Sequence, residues 1–295
     1  MKTIICKGIV GVLVSILVLS CKKDNTTTTS SSSSGSADSG GSTSSTVTAR
    51  YTQNATLEDY TASWCGWCPR AKTYTDAAVA QYGANVIPME FHNTDALTPV
   101  GEPTLETAFS VTGYPSQYLN RNIPYNASLS QIAPLVTATS SVSSTVGLAI
   151  NSSLNGTSLS ITVKSRFAQA VSGAKLVVYV LENGIVASHA NDYSGSSAYS
   201  NSSNPLYVWY MDPNPIPNYI NDHVVRTSAS AILGDAIPTQ AGASEYDKVY
   251  TVSVPATWNS SNLSIVAMVV QANNNLLNAQ QAKVGQVQNF QILVP

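Results

Sequence analysis

Hydrophobic residues divide the chain into four stretches. An apolar run from Ile9 to Leu19 is followed, over residues 22–47, by a stretch that is mostly serine, threonine and glycine. From residue 48 to about residue 140, apolar positions alternate between strand spacing and helix spacing, and from residue 141 onward they recur in short alternating runs. This pattern predicts a signal segment, a flexible tether, an α/β domain and an all-β domain, in that order.

The α/β stretch, residues 48–140, has clear helix and strand signals. Ala71, Tyr74, Ala78 and Tyr82 recur at helical spacing after Pro69, and Gly83 follows as a stop signal. The predicted elements are a strand at 57–61, a helix at 69–82, a strand at 86–91, a short helix at 105–109, a strand at 118–119 and a helix at 129–136.

The stretch at residues 141–295 predicts strands. Asn155-Gly156 separates two alternating apolar runs, which is a strong hairpin signal. Asn183-Gly184 predicts a second turn, which leads from the strand at 175–181 to Ile185 and Val186. With further strands at 175–181, 223–227, 249–254 and 263–271, we predict an antiparallel β-sandwich of the immunoglobulin or fibronectin kind.

The N-terminus has the features of an export signal. Lys2 precedes the apolar run, and Val18-Leu19-Ser20-Cys21 resembles the lipobox of bacterial lipoproteins. The resemblance implies a signal peptide at 1–20 and membrane attachment through lipid on Cys21. Residues 21–47 would then be the lipidated cysteine and a flexible tether, because so polar a stretch cannot offset its ordering entropy. An uncleaved anchor, or a secretory signal with an incidental cysteine, remains the alternative.

Composition excludes several classes of function. Only 10% of the residues are charged and the formal net charge is -2, so we expect no nucleic acid partner, which would require clustered positive charge. Once Cys6 has left with the signal and Cys21 carries lipid, two cysteines remain, and the three histidines (His92, His189 and His223) are scattered. A structural zinc site needs about four ligands. We therefore predict neither a metal nor another cofactor.

Cys65 and Cys68 form a Cys-x-x-Cys motif where a predicted strand ends and a predicted helix begins. Free amides and the positive end of the helix dipole stabilise a thiolate at such a position. The two-residue gap lets the sulfur atoms open and close a disulfide, and Pro69 suits the first helical turn. Two interpretations remain open, namely a redox-active pair and a static disulfide that joins the helix to the strand.

Residues 57–68 resemble the active-site segment of thioredoxin-fold proteins, so the first domain is predicted to be an α/β thioredoxin-like sandwich. Asp59 stands six residues before Cys65, and the resemblance implies that Asp59 accepts or relays the proton of Cys68. Glu58 should point to the opposite face of the strand. The implied reaction is thiol–disulfide exchange with polypeptide thiols or disulfides, in which Cys65 attacks and Cys68 resolves the mixed disulfide.

Gly113-Tyr114-Pro115 resembles a second element of thioredoxin-fold proteins, the loop whose proline is cis and packs beside the cysteines. By this resemblance, Pro115 presents the backbone of Tyr114 to an incoming polypeptide. We expect Tyr114, Trp64 and Trp67 to be the substrate contacts.

Two segments of the second domain carry a wider resemblance. Residues 178–186 (Val-Tyr-Val-Leu-Glu-Asn-Gly-Ile-Val) and residues 221–226 (Asn-Asp-His-Val-Val-Arg) resemble the outer-membrane-protein-28-related lipoprotein family. Asn221 replaces the first histidine of that family's His-x-His-Val-x-Arg pattern. The resemblance implies an exported protein, anchored to the bacterial outer membrane on its periplasmic face or at the cell surface. On a strand, His223 and Arg226 would face opposite sides, so we expect no joint site.

Between residues 189 and 220 lies a long irregular insert rich in aromatic residues, including Tyr207, Trp209 and Tyr210. Aromatic loops bind glycans or peptides well, but these rings could equally cover the interface between the two domains. The insert supports an alternative function, a surface binding or adhesion lipoprotein with a structural disulfide.

Overall fold

The computed structural model describes residues 49–293. The predicted signal peptide, the lipid on Cys21 and the tether to residue 47 lie outside the described residues. The helices are α1 (Pro69–Tyr82), α2 (Glu102–Phe109), α3 (Leu129–Ser140) and α4 (Tyr207–Met211). The strands are β1 (Arg50–Thr52), β2 (Ala55–Thr61), β3 (Val86–His92), β4 (Ser116–Leu119), β5 (Ile123–Tyr125), β6 (Ser143–Ser144), β7 (Val146–Asn155), β8 (Ser158–Phe167), β9 (Lys175–Glu182), β10 (Ile185–His189), β11 (Ile216–Asn221), β12 (Val224–Ser228), β13 (Asp235–Ala236), β14 (Ser244–Ser253), β15 (Leu263–Val270), β16 (Leu276–Lys283) and β17 (Ile292–Leu293).

The largest sheet is mixed and has the strand order β16-β15-β9-β12-β3-β2-β4-β5, with β13 also paired to β9. β3 lies between β2 and β12 and is parallel to both, whereas the other neighbours in this sheet are antiparallel. Smaller sheets have the orders β14-β8-β7, β17-β1-β6 and β10-β11.

Three hydrophobic cores surround the large sheet. One face of β9 and β15 packs on β7 and β8, which makes a β-sandwich. The other face of the same strands forms a second core together with β2, β3 and α2, and α1 and α3 pack on β2 in a third. β15 uses both of its faces, since Ile265 and Val269 belong to the first core while Val266 and Met268 belong to the second. Within residues 49–293, no helix has the length and apolar character needed to span a membrane.

The predicted strand and helix pattern agrees well with the structure at several places. α1 begins and ends at the predicted residues, and β7 and β8 form the predicted hairpin around Asn155 and Gly156, in which Gly156 has a φ of 59°. Asn155 pairs with Ser158 directly beside the turn.

The prediction of a purely antiparallel second part requires a correction. Val224 of β12 pairs in parallel with Glu90 of β3, so the strands beyond residue 141 continue the sheet that begins with β2 and β3. The physical reason is that β12 covers an edge of β3 that would otherwise leave backbone groups unpaired. All described residues belong to one compact unit.

The residues of the predicted turn, Asn183 and Gly184, lie between β9 and β10. Ile185 does not pair with β9, because both edges of β9 are occupied by β12 and β15. β10 instead pairs with β11 in a separate two-stranded sheet.

Candidate functional site

Cys65 and Cys68 form a disulfide at the start of α1. The chain turns tightly here, since the Cys65 amide donates to the Ala62 carbonyl (2.9 Å) and the Cys68 amide donates to the Cys65 carbonyl (3.0 Å). Cys68 is the N-cap of α1 and Pro69 is the first helical residue. Both cysteines are almost completely buried, with 5% and 2% exposure, and they pack on Ala62 and Tyr114.

Tyr114 brings the loop before β4 to the cysteines. The bond between Tyr114 and Pro115 is cis, as the resemblance to thioredoxin-fold proteins implies, and Ser116 then pairs with Tyr60 of β2. The ring of Tyr114 lies edge-on to Trp64, with centroids 5.2 Å apart. Trp64 and Trp67 are 51% and 46% exposed, so these two rings form an accessible aromatic rim around the buried disulfide.

A hydrogen-bonded group that the sequence did not reveal holds the segment before Cys65. The Asp95 carboxylate accepts from the Ser63 amide (2.7 Å) and the Ser63 hydroxyl (2.9 Å), and it bonds His92 Nδ1 (2.7 Å). Burial alone would raise the pKa of Asp95. The hydrogen bonds from His92, Ser63 and Leu97 outweigh burial and hold that pKa well below its usual range. Asp95 is therefore ionised and holds Ser63, two residues before Cys65, through hydrogen bonds.

Asp59 and Glu90 are two buried acids on neighbouring parallel strands. They are register partners, with 4% and 5% exposure. Burial raises the pKa of Asp59 well above its ordinary value; the charge of Glu90 raises it further and that of Arg70 opposes. Burial likewise raises the pKa of Glu90, to about 8. Glu58 faces the other way, as predicted, toward Arg121.

Polar groups from three other elements lie around Glu90. Lys72 of α1 bonds Asp222 at 2.8 Å, and its charge opposes the rise in the pKa of Glu90 that burial causes. His92 Nε2 lies 3.9 Å from Glu90 Oε2. Sequence reasoning missed Glu90 and His92, although a signal existed: they are polar residues at alternate positions in the buried strand β3.

The aromatic insert lies over the motif, and we call residues 189–221 the cover segment. The Ala190 amide donates to the Ser63 carbonyl (2.8 Å), the Asp192 amide donates to the Gly66 carbonyl (2.9 Å), and the Tyr193 hydroxyl donates to the Trp67 carbonyl (3.2 Å). Tyr193 is 1% exposed and its ring lies edge-on to Trp67, with centroids 5.0 Å apart. A methyl group on Gly66 would overlap the Asp192 carboxylate, so the glycine of the motif permits this close approach.

The proposed ligand loop, Tyr207, Trp209 and Tyr210, belongs to α4 of this cover segment. Trp209 donates its Nε1 hydrogen to the hydroxyl of Thr73 on α1 (2.7 Å), whereas Tyr207 and Tyr210 stack on each other with centroids 5.7 Å apart. These three rings are half-buried. Trp209 thus helps to attach the insert to α1, and a ligand role for the loop stays a prediction.

His223 and Arg226 have separate surroundings. His223 precedes β12 with a φ of 58°, beside Asp222 and Lys72. Arg226 lies 3.4 Å from a carboxylate oxygen of Glu182 and stacks over Trp258.

His223 also lines a cleft of about 400 Å³ whose walls include many amide side chains. Neither cysteine lines this cleft. Its polar lining includes Asn183, Asn262, Gln280, Gln281, Gln286 and Lys283. Within residues 49–293, no cluster of three or more His, Cys, Asp or Glu side chains is arranged to hold a metal ion.

The chain is similar to several solved structures. HBP35 of Porphyromonas gingivalis aligns with a TM-score of 0.61 at 17% identity, over 83% of this chain and 80% of that chain. A protein of Agrobacterium tumefaciens aligns with a TM-score of 0.45 at 14% identity, over 79% and 94% of the two chains. A domain of the outer membrane lipoprotein Omp28 from Porphyromonas gingivalis aligns with a TM-score of 0.30 at 17% identity, over 48% and 89%. At these identities the first likeness concerns the fold alone.

No curated protein matches the chain. The family model described as outer membrane protein Omp28 matches residues 102–288, which is more than half of the 295 residues. The match includes α2, the cover segment and the strands of the sandwich. The chain therefore belongs to the Omp28 family of outer membrane proteins.

Proposed function

We propose that this protein is an exported, lipid-anchored thiol–disulfide oxidoreductase that acts through Cys65 and Cys68. The observation that carries the proposal is the Cys65–Cys68 disulfide at the N-terminus of α1. Helix N-termini lower thiol pKa values. The order β2, Cys-x-x-Cys, α1, β3, followed by β4, β5 and α3, supports a thioredoxin-like arrangement around this pair.

The surroundings of the disulfide support the same reaction. Tyr114 packs on the buried cluster that contains the two cysteines, and Trp64 and Trp67 offer exposed apolar surface on which a polypeptide substrate can bind. Asp59 is the proton acceptor for Cys68 in this mechanism, and its buried Oδ1 has no hydrogen-bond partner among the described residues.

Substitution of the two cysteines tests the proposal. Cys68→Ser should trap polypeptides as mixed disulfides on Cys65, because the resolving thiol is missing. Cys65→Ser should abolish exchange. The measurement is non-reducing electrophoresis of cell envelopes after acid quenching, with identification of the peptide that carries Cys65. A Cys68→Ser variant that traps no polypeptide would favour the alternative function, a binding lipoprotein with a structural disulfide.

Attachment to the membrane through Cys21 is the second part of the proposal. Several buried acyl chains anchor a protein firmly, at about 0.8 kcal/mol per methylene group. Cys21→Ala should therefore release the protein from membranes and abolish labelling by a radioactive fatty acid. Continued sedimentation of Cys21→Ala with the membranes would indicate an uncleaved apolar anchor.

A further inference from the structure

Glu90 lies beside the residue that is proposed to receive the proton of Cys68. Its strand, β3, runs parallel to β2, and Glu90 is the register partner of Asp59. Both side chains are buried, so both carboxyl groups lie in a region where an isolated negative charge is unfavourable. Two adjacent buried acids do not both ionise near neutral pH, and they titrate as a pair.

We propose that Glu90 is a positioning residue of the redox site that acts through Asp59: near neutral pH the two carboxyl groups retain one proton, which Glu90 holds, and this leaves Asp59 ionised to accept the proton of the Cys68 thiol. The inference rests on the proposed function and names a residue that the thioredoxin resemblance does not supply.

The charged and titratable groups around the pair come from several neighbouring elements. They are Arg70, Lys72 and Asp76 on α1, His92 on β3, Asp222 and His223 before β12, Tyr219 on β11 and Tyr125 on β5. Burial has the largest effect on the pKa of Glu90, Lys72 opposes it, and Asp222 and Asp76 reinforce it. Lys72 is itself hydrogen-bonded to Asp222 (2.8 Å). Its positive charge therefore acts on Asp222 as well as on Glu90.

His92 is a further buried polar group at this site. Its ring is fully buried, Nδ1 bonds Asp95, and Nε2 points to within 3.9 Å of Glu90 Oε2. Nε2 has no hydrogen-bond partner among the described residues. The His92 imidazole therefore lies between Asp95, which holds Ser63, and the Glu90 carboxyl.

The Cys65 thiolate attacks one sulfur of a polypeptide disulfide, the substrate S–S bond breaks, and the departing sulfur takes a proton from water. Cys68 then passes its proton to Asp59, and its sulfur attacks Cys65. The Cys65–Cys68 bond forms, the second substrate sulfur leaves as a thiolate and takes a proton from water, Asp59 returns its proton to the solvent, and two electrons have passed from the dithiol to the substrate.

The test compares the resolution of the mixed disulfide in wild type and in Glu90→Gln, using full-length protein in detergent. Reduced protein is mixed with oxidised glutathione and quenched in acid, and the Cys65 peptide is followed by mass spectrometry across a pH series. Near neutral pH Glu90 is protonated, so Glu90→Gln should resolve the mixed disulfide as wild type does. Above about pH 8 the ionised Glu90 of wild type raises the pKa of Asp59, and there Glu90→Gln should resolve it about tenfold more slowly, which corresponds to one unit in the pKa of the base.

Two further variants serve as controls. Glu102→Gln replaces another buried acid, on α2, whose pKa is raised to about 7 by burial and by Glu106; it should leave the pH profile unchanged. In an Asp59→Asn background, Glu90→Gln should have no additional effect, because Glu90 acts through Asp59.

The outcomes separate the two ideas. If wild type never forms a mixed disulfide, the proposed function fails and this inference fails with it. If wild type exchanges and Glu90→Gln has the same pH profile, only the inference is overturned, and the same holds if Glu90→Gln remains effective in Asp59→Asn.

The pH dependence of folding stability tests the inference without any thiol–disulfide exchange. The folded pKa of Glu90 lies above its unfolded value, so its contribution to stability is lost as pH rises from about 4.3, the unfolded value, toward about 8. Glu90→Gln cannot ionise, and its folding equilibrium should decline less than that of wild type over this range, by up to tenfold per pH unit. A Glu90→Gln protein that does not fold, or that shows the wild-type decline, would contradict a protonated Glu90.

Discussion

Replacing Arg121 with methionine should lower the free energy of unfolding by about 3–5 kcal/mol near neutral pH. The Arg121 guanidinium is completely buried. Its Nε lies 3.8 Å from Glu58 Oε1, its Nη2 donates to the Tyr179 hydroxyl (3.4 Å), and it stacks over Phe109. Methionine fills much of the same space but leaves Glu58 without a cation.

The destabilisation by Arg121→Met should depend on pH. Burial raises the pKa of Glu58, and Arg121 opposes that rise. Without Arg121 the folded pKa of Glu58 rises further, so stability is lost progressively as pH increases above about 4.3, the unfolded value. Urea unfolding at several pH values measures this effect, and Glu58→Gln in the Arg121→Met background should restore much of the loss.

Arg166→Met is the matched control. Arg166 lies on β8 with its side chain 44% exposed, and its partner is Glu245. An exposed pair of this kind contributes about 0–1 kcal/mol. If Arg121→Met and Arg166→Met lower the free energy of unfolding equally, the buried Arg121–Glu58 pair does not stabilise the core more than an exposed pair does.

The second large effect concerns the cover segment, residues 189–221. Tyr193→Ala should speed the reduction of the Cys65–Cys68 disulfide by dithiothreitol at least about tenfold, since loss of about 1.4 kcal/mol from local stability raises the open population by that factor. Tyr193 is buried and its ring contacts both Trp67 and Tyr199, with centroids at 5.0 and 4.8 Å. Truncating a buried aromatic side chain typically costs about 3–5 kcal/mol.

Tyr207→Ala is the control within the same cover segment. Tyr207 is half-buried and its ring stacks on Tyr210 rather than on the motif. In Tyr207→Ala the Cys65–Cys68 disulfide should be reduced at a rate within about twofold of wild type, because changes at half-buried positions of this kind have small effects. Rates follow from acid quenching, alkylation and mass spectrometry of the Cys65 peptide. Equal rates in Tyr193→Ala and wild type would mean that the cover segment does not limit access to the disulfide.

The amino-acid sequence by itself determined the elements whose signals are local. α1 is defined by apolar residues at helical spacing between Pro69 and Gly83, and the β7–β8 hairpin is defined by Asn155-Gly156. The position of the Cys-x-x-Cys motif between a strand and a helix is likewise local information. These features follow from backbone preferences within a few residues, and such preferences can be predicted without the rest of the chain.

Tertiary structure alone decided how distant segments meet. The pairing of Val224 with Glu90 joins strands separated by more than 130 positions in the sequence, and the pairing of β9 with β12 and β15 leaves Ile185 no free edge of β9. The contacts of Ala190, Asp192 and Tyr193 with the motif arise in the same way. No local pattern encodes such contacts, because a strand's partner depends on which edges remain free once the whole sheet has formed. The chemistry of Asp59, Glu90 and His92 follows from that assembly, since burial and neighbouring charges, rather than residue type, shift the pKa values of the two acids.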